Sequence, residues 1–209
     1  GARSESLDSE TQDVEAYSYD ECLELLGGFG HFQWFVTVTL ILSFMTGGQI
    51  VYGITFLTTL PEYECQDFYE GYSVWKWDVC DRAAICDSNM PSTLWRVNYD
   101  AATSYHNWVD PDKLDLTCVS KNTIGAIGSM FFVGFAISSG VVPRLGDKMG
   151  RKVPYLASMS AQFLMYILLF ISRNIYLTIF CYFVIGLASG GRVAIGTMYL
   201  NEFIPAKYQ

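Results

Sequence analysis

The sequence has few of the residues on which enzymes and nucleic-acid-binding proteins depend. It contains only 2 histidines, no glycine-rich phosphate-binding loop and no Ser/His/Asp arrangement, so we predict no catalytic site, no cofactor and no enzyme activity. The net charge of −8 argues against nucleic-acid binding, which requires basic surface. These absences leave binding, transport and structural roles as the open classes of function.

Charged residues are also missing from four long stretches of the chain. These stretches cover residues 34–60, 123–143, 153–172 and 175–200, and Arg192 is the single charge inside them. A segment that crosses a bilayer is a helix of about 20 apolar residues, because backbone groups cannot stay unpaired in hydrocarbon. We therefore predict an all-α membrane protein with four transmembrane helices.

The short connection between the second and third stretches indicates the orientation in the membrane. Residues 144–152 hold four basic side chains and one acid. Short loops rich in Lys and Arg stay on the cytoplasmic side. This places residues 1–33, an acidic tail followed by an amphipathic lead-in helix, and residues 201–209 in the cytoplasm as well. We expect a multi-pass protein of the plasma membrane, with an organelle membrane as the alternative.

The long non-cytosolic segment, residues 61–122, carries four of the cysteines. They are Cys65, Cys80, Cys86 and Cys118. Four cysteines outside the cytosol indicate two disulfides, although the sequence leaves the three possible pairings open. A zinc site is the alternative, but the only nearby histidine is His106 and no Cys-x-x-Cys pair exists. We predict disulfides and no metal.

Three motifs resemble the major facilitator superfamily. The 144–152 connection is similar to the signature loop of that superfamily, with matches at Leu145, Gly146, Asp147, Lys148, Gly150, Arg151 and Lys152. The fourth stretch has the spacing shared by sugar porters and organic-ion transporters, at Gly186, Gly190, Tyr199 and Glu202. Residues 20–33 resemble the cytoplasmic start of the organic cation and anion transporter family, at Asp20, Glu21, Leu23, Gly27, Phe29, Gly30, Phe32 and Gln33. By this resemblance, the chain corresponds to the first four helices of such a transporter.

The resemblance implies secondary transport of a small organic ion or solute by alternating access. Members of the superfamily are built from two six-helix halves around a midplane site. We therefore expect this chain to be a segment of a longer transporter, with membrane lipid, a small organic solute and the remaining helices as its partners. The alternative is a transport-inactive structural subunit that contacts other membrane subunits. Three departures from the family pattern favour that alternative: Pro143 for Gly, Tyr182 for Arg, and Gln209 for a basic residue.

A conformational charge network is implied by the same resemblance. Its members are Asp147, Arg151, Lys152 and Glu202. In the family these charges form a latch that holds the two halves together when the transporter faces outward. The alternatives are a basic connection that only fixes topology and, for Glu202, a hydrated interfacial carboxylate.

Substrate contacts are expected from the polar residues inside the first and fourth stretches. The candidates are Arg192, Gln49 and Tyr52. A charge at bilayer depth faces a cavity or a partner, so Arg192 is either a ligand for an anionic substrate or a structural arginine paired with another helix, a carbonyl or a lipid headgroup. Aromatic residues such as Phe131 and Phe132 are expected to pack between helices or face lipid.

Overall fold

The computed structural model describes residues 21, 30–69, 74–87 and 90–204. Within them the elements are α1 (His31–Leu57), β1 (Tyr63–Tyr69), β2 (Val74–Cys80), α2 (Arg82–Asp87), β3 (Trp95–Val97), α3 (Lys121–Met149), α4 (Lys152–Ile171) and α5 (Ile175–Phe203). Of these elements, α1, α3, α4 and α5 are long and apolar enough to cross a membrane. The predicted class of helical membrane protein is confirmed.

Large apolar side chains are exposed along these long helices. Phe170 on α4 is 93% exposed, Tyr176 on α5 is 74% exposed and Phe35 on α1 is 70% exposed. Apolar surface on this scale is unfavourable in water and is covered by lipid or by further helices in a membrane protein. Of the four helices, α5 is the most buried and α1 the least.

The helix α3 extends further than the apolar run from which it was predicted. It continues to Met149, so most residues of the predicted 144–152 connection are helical. Gly146 is buried within this extension, and a Cβ built on it would lie 3.7 Å from the Ile195 side chain of α5. Continuing the helix therefore keeps α3 packed on α5. Gly150 then ends the helix with a φ of 82°, a conformation that favours glycine.

Among the described residues, one compact unit includes residues 30–42 and 196–204. Most of the predicted tail and lead-in helix, residues 1–20 and 22–29, and the final residues 205–209 lie outside the described residues. In this unit the Gly30 amide donates to Gln33 Oε1 at 3.1 Å, at the start of α1.

The second compact unit consists of residues 43–195. Its main core is a cluster of Ile127, Phe131, Tyr182 and Ile185, where α3 packs on α5. The two helix backbones approach closely at Gly134, where an added Cβ would overlap Phe183 O and lie 2.9 Å from Leu187 N. They also approach at Gly186, where an added Cβ would overlap Phe131 O. Small residues at such crossings are what lets membrane helices pack tightly.

The segment between α1 and α3 contains a small sheet and two disulfides. The sheet has the strand order β2-β1-β3, and both strand pairs are antiparallel. Cys65 pairs with Cys80, and Cys86 pairs with Cys118, which confirms the predicted disulfides and resolves their connectivity. Next to the second bridge, the Arg82 guanidinium donates from Nε to Thr117 O and from Nη2 to Val119 O.

The same segment also satisfies the backbone at the end of α1. Asn107 donates from Nδ2 to Phe56 O at 3.2 Å and to Thr59 O at 2.7 Å, and it is only 6% exposed. The Trp108 amide donates to Leu57 O at 3.1 Å. The last carbonyls of a helix have no partner within the helix, so these bonds fix the segment to the end of α1.

Replacing Ser120 with alanine is expected to destabilise the start of α3. Ser120 is the N-cap, and its Oγ accepts from the Thr123 amide at 3.2 Å. Losing an N-cap side chain typically lowers the free energy of unfolding by about 1 kcal/mol. The matched control is Ser139→Ala, because the exposed Ser139 hydroxyl donates to Ala136 O within its own helix. Thermal unfolding in detergent should separate the two variants; equal midpoints would contradict the capping role.

Candidate functional site at Arg192

Arg192 is a buried cation on α5 with an incomplete set of partners. It is only 2% exposed. Its Nη1 donates to Thr46 Oγ1 at 3.1 Å and to Met159 Sδ at 3.7 Å. Its Nε and Nη2 have no hydrogen-bond partner among the described residues, where no carboxylate pairs with it either. Burying unpaired guanidinium donors is unfavourable, so a group that accepts from them would be bound strongly.

The guanidinium lies against bare backbone of α1. A Cβ built on Gly47 would lie 2.8 Å from Arg192 Nη2 and 3.9 Å from Ser189 Oγ. Ser189 is 3% exposed, and its hydroxyl likewise lacks a partner within the described part of the chain. Because Gly47 has no side chain, the guanidinium can lie against the backbone of α1, next to the unsatisfied Ser189 hydroxyl.

These groups line a cavity of about 300 Å³ between α1, α3 and α5. Its walls include the side chains of four phenylalanines, Phe44, Phe131, Phe132 and Phe135. Arg192, Ser189 and Tyr52 line the same cavity. A mostly apolar cavity with a few convergent polar groups is the usual form of a small-molecule site.

The predicted substrate contacts are placed differently from one another. The buried Arg192 and Tyr52, which is 76% exposed, both line the cavity, whereas Gln49 is not among the lining residues. Gln49 lies two residues after Gly47, which turns its side chain about 200° around α1. Ser189 and the phenylalanines were not predicted as contacts, and Phe131 and Phe132 were expected only to pack or face lipid. The spacing of Phe131, Phe132 and Phe135 along one side of α3 was the available signal.

The predicted charge network is divided between the two compact units. Asp147 Oδ1 and Arg151 Nη2 are 3.8 Å apart, which pairs them across the turn between α3 and α4. This pair is partly exposed, so it adds little stability of its own. Lys152 is exposed at the start of α4. Glu202 lies in the last turn of α5, within the unit that includes residues 30–42 and 196–204.

A larger cavity of about 500 Å³ lies beside the loop residues 106–114 and the end of α4. Three charged residues and one histidine line it: Asp112, Lys113, Arg173 and His106. His106 Nδ1 lies 3.0 Å from Asp110 Oδ2, and the Tyr99 hydroxyl donates to Asp110 Oδ1 at 2.9 Å. Burial, followed by the bond to Asp110, raises the pKa of Tyr99 to about 12. Because its charges are mixed and exposed, this cavity indicates no single class of ligand.

Comparisons with known proteins agree with this architecture. Residues 88–209 match the family model of the Major Facilitator Superfamily. The chain is 25% identical over 194 residues to Organic cation/carnitine transporter 5 and 23% identical over 199 residues to Organic cation/carnitine transporter 6, both of Arabidopsis thaliana. These alignments cover 92% and 94% of this chain, but only 35% and 36% of the two relatives. No solved structure matches the chain. Since the family model covers more than half of its residues, the chain belongs to the Major Facilitator Superfamily.

Proposed function

We propose that this chain is part of a secondary transporter that moves a small organic ion or solute by alternating access. The observation that carries the proposal is Arg192, a buried cation in a long apolar helix, beside a cavity. Ionisable residues inside membrane-spanning helices typically mark the pathway of a substrate or ion. Family membership supports transport rather than catalysis, and the relatives are named as organic cation/carnitine transporters.

In this proposal the cavity provides the solute contacts. Arg192 and Tyr52 both line it, and Ser189 adds a hydroxyl. The phenylalanine walls would hold an apolar part of the solute. Gln49 is left out of the proposed site, because its side chain is not among those lining the cavity.

The proposed orientation places the turn at Gly150 and Arg151 in the cytoplasm and the disulfide-bonded segment on the opposite side. The basic residues at the turn support this, since positive charge in short loops is retained inside. Asp147, Arg151, Lys152 and Glu202 would form the conformational charge network. The Asp147–Arg151 contact at 3.8 Å is the part of that network that supports the proposal most directly. The plasma membrane is the proposed location.

Replacing Arg192 with glutamine in the full native protein that carries this chain is expected to reduce solute uptake by about tenfold or more, because charge-assisted hydrogen bonds are lost. Uptake of a panel of radiolabelled organic ions into proteoliposomes would measure this. Arg96→Gln is the matched control, since Arg96 makes a surface ion pair with Glu64 at 2.7 Å in the extramembrane sheet. Equal uptake by both variants would remove Arg192 from the transport pathway.

A second candidate is a transport-inactive structural subunit of a larger membrane complex. The observation in its favour is Tyr182, which stands where related transporters carry an arginine and is only 1% exposed. Its ring packs edge-on against Trp108, with the centroids 6.0 Å apart. A position at which the family resemblance implies a charge is thus used for core packing. This candidate predicts no uptake by the wild-type protein and co-purification with other membrane subunits.

A further inference from the structure

We infer that the Arg192 cavity binds the carboxylate group of a small organic anion whose body is apolar or aromatic. This inference rests on the proposed transport function and names the chemical class of its solute. It follows from the arrangement of the guanidinium, from the charge of the cavity and from the walls around it.

The unpartnered donors of Arg192 lie on one edge of the guanidinium. Nε and Nη2 together form the side edge of the group, and both lack a partner among the described residues. Two parallel N–H donors match the two oxygens of a carboxylate, which is the geometry that distinguishes arginine from lysine. Thr46 and Met159 hold Nη1 on the other edge, so the guanidinium is oriented before a ligand arrives.

The cavity offers a carboxylate both room and a further donor. Gly47 places no side chain beside Nη2, and the unpartnered Ser189 hydroxyl lies near the same point of α1. Ser189 is 3% exposed, so its hydroxyl has little contact with solvent to lose when a ligand oxygen accepts its hydrogen bond. A carboxylate in this position satisfies three donors that the described chain leaves open.

The charge of the cavity selects against an organic cation. Arg192 is the one charged residue among its described lining residues, so the cavity carries a buried positive charge. Phenylalanine rings attract cations through their faces, but a neighbouring buried guanidinium repels them. The four phenylalanines instead provide apolar walls for the body of an anion. A volume of about 300 Å³ is at the small end for ligand sites, which favours a compact solute.

Three probes of similar shape would test the inference on the full native protein: 3-phenylpropionate, 3-phenylpropionamide and 3-phenylpropylammonium. Equilibrium binding by calorimetry is expected to show the carboxylate bound about 10 to 100-fold more tightly than the amide, with the cation weakest. Arg192→Gln should remove the preference for the carboxylate while leaving the weak binding of the amide. A wild-type protein that binds the amide or cation as tightly as the carboxylate, or binds none of the three, overturns the inference.

A pair of glycine variants tests the same contact without removing the charge. Gly47→Ala places a Cβ 2.8 Å from Nη2 and is expected to weaken carboxylate binding about tenfold. Gly53→Ala is the control, because a Cβ at that position of α1 meets nothing within 4 Å. If Arg192→Gln does not fold, the probe preference of the wild type and this pair decide the question. Equal carboxylate binding by the two glycine variants counts against the inference.

Flux of the same probes into proteoliposomes separates the inference from the proposed function. Carboxylate binding without flux of any probe would support the site and contradict transport. Flux of the cation without a preference for the carboxylate would support transport and overturn the inference. Arg192→Lys tests the hydrogen-bond geometry separately from the charge, because lysine keeps the positive charge but lacks the two parallel N–H donors of Nε and Nη2. If Arg192→Lys prefers the carboxylate probe as strongly as the wild type does, the proposed geometry is contradicted.

Discussion

Replacing Gly134 with alanine is expected to prevent the normal packing of α3 on α5. An added Cβ would overlap Phe183 O and lie 2.9 Å from Leu187 N, so it meets backbone rather than a movable side chain. Overpacking of a core typically lowers the free energy of unfolding by 1–3 kcal/mol, and we expect about 3 kcal/mol or more here because backbone must shift. The readout is the thermal unfolding midpoint and the yield of monodisperse protein in detergent.

Gly140→Ala is the matched control on the same helix. A Cβ at Gly140 meets nothing within 4 Å, so this substitution should be neutral or slightly stabilising because alanine favours helix. Gly186→Ala should behave like Gly134→Ala, since its Cβ would overlap Phe131 O from the opposite side of the contact. Similar midpoints for Gly134→Ala and Gly140→Ala would show that the two backbones are further apart in solution.

Removing the Cys86–Cys118 bridge is expected to destabilise the segment between α1 and α3 more than removing the Cys65–Cys80 bridge. The two bridges close loops with sequence separations of 32 and 15 residues. Chain-entropy arguments then give about 4 kcal/mol for the longer loop and about 3 kcal/mol for the shorter one. The strand pairing of β1 with β2 also holds the shorter loop together without its bridge.

The experiment compares the double variant Cys86→Ser with Cys118→Ser against the double variant Cys65→Ser with Cys80→Ser. Limited proteolysis of the purified protein should cut the segment fastest in the first double variant. Cys181→Ala is the control, because Cys181 is a free thiol in α5 and its loss opens no loop. Faster cleavage of the second double variant would contradict the loop-length argument.

The membrane helices could be predicted from the sequence because a single property, a long apolar run without charged residues, identifies them. Long runs without charge are rarely compatible with anything but a spanning helix, and all four runs are helical. The helix ends were less predictable. Pro143 and the charges after it suggested a connection, yet α3 continues to Met149, because its Gly146 packs against Ile195 and the φ of Gly150 provides the break.

The disulfides were predictable in number but not in pairing. The pairing depends on the sheet, which brings Cys65 close to Cys80, and on the Arg82 contacts near Cys118. The sheet could not be predicted from a local sequence pattern, because residues 70–73 between β1 and β2 contain no Asn-Gly or Asp-Gly pair of the kind that indicates a hairpin turn. Contacts between residues far apart in sequence decide such pairings.

Of the residues that line the candidate cavity, Arg192 and Tyr52 were predicted from the sequence, and Ser189 and the four phenylalanines were not. Arg192 is conspicuous because a charge inside a membrane helix is rare. Ser189 and Gly47 are ordinary residues in sequence, and their role comes from the approach of α5 to α1, which no local pattern specifies. Gln49 and Tyr52 were predicted together, and the rotation of α1 places only Tyr52 among the residues that line the cavity.

The end of α1 depends on an amide that an acid of the same shape cannot replace. Asn107 donates to two carbonyl oxygens, of Phe56 and Thr59, and its own Oδ1 accepts from the Val109 amide at 2.9 Å. Deamidation would exchange the donating nitrogen for a charged oxygen and set it against both carbonyls while barely changing the volume. Deamidation at this one buried side chain would therefore weaken the attachment of the segment between α1 and α3 to the end of α1, where the bond from the Trp108 amide to Leu57 O would remain, without breaking a backbone bond or a disulfide.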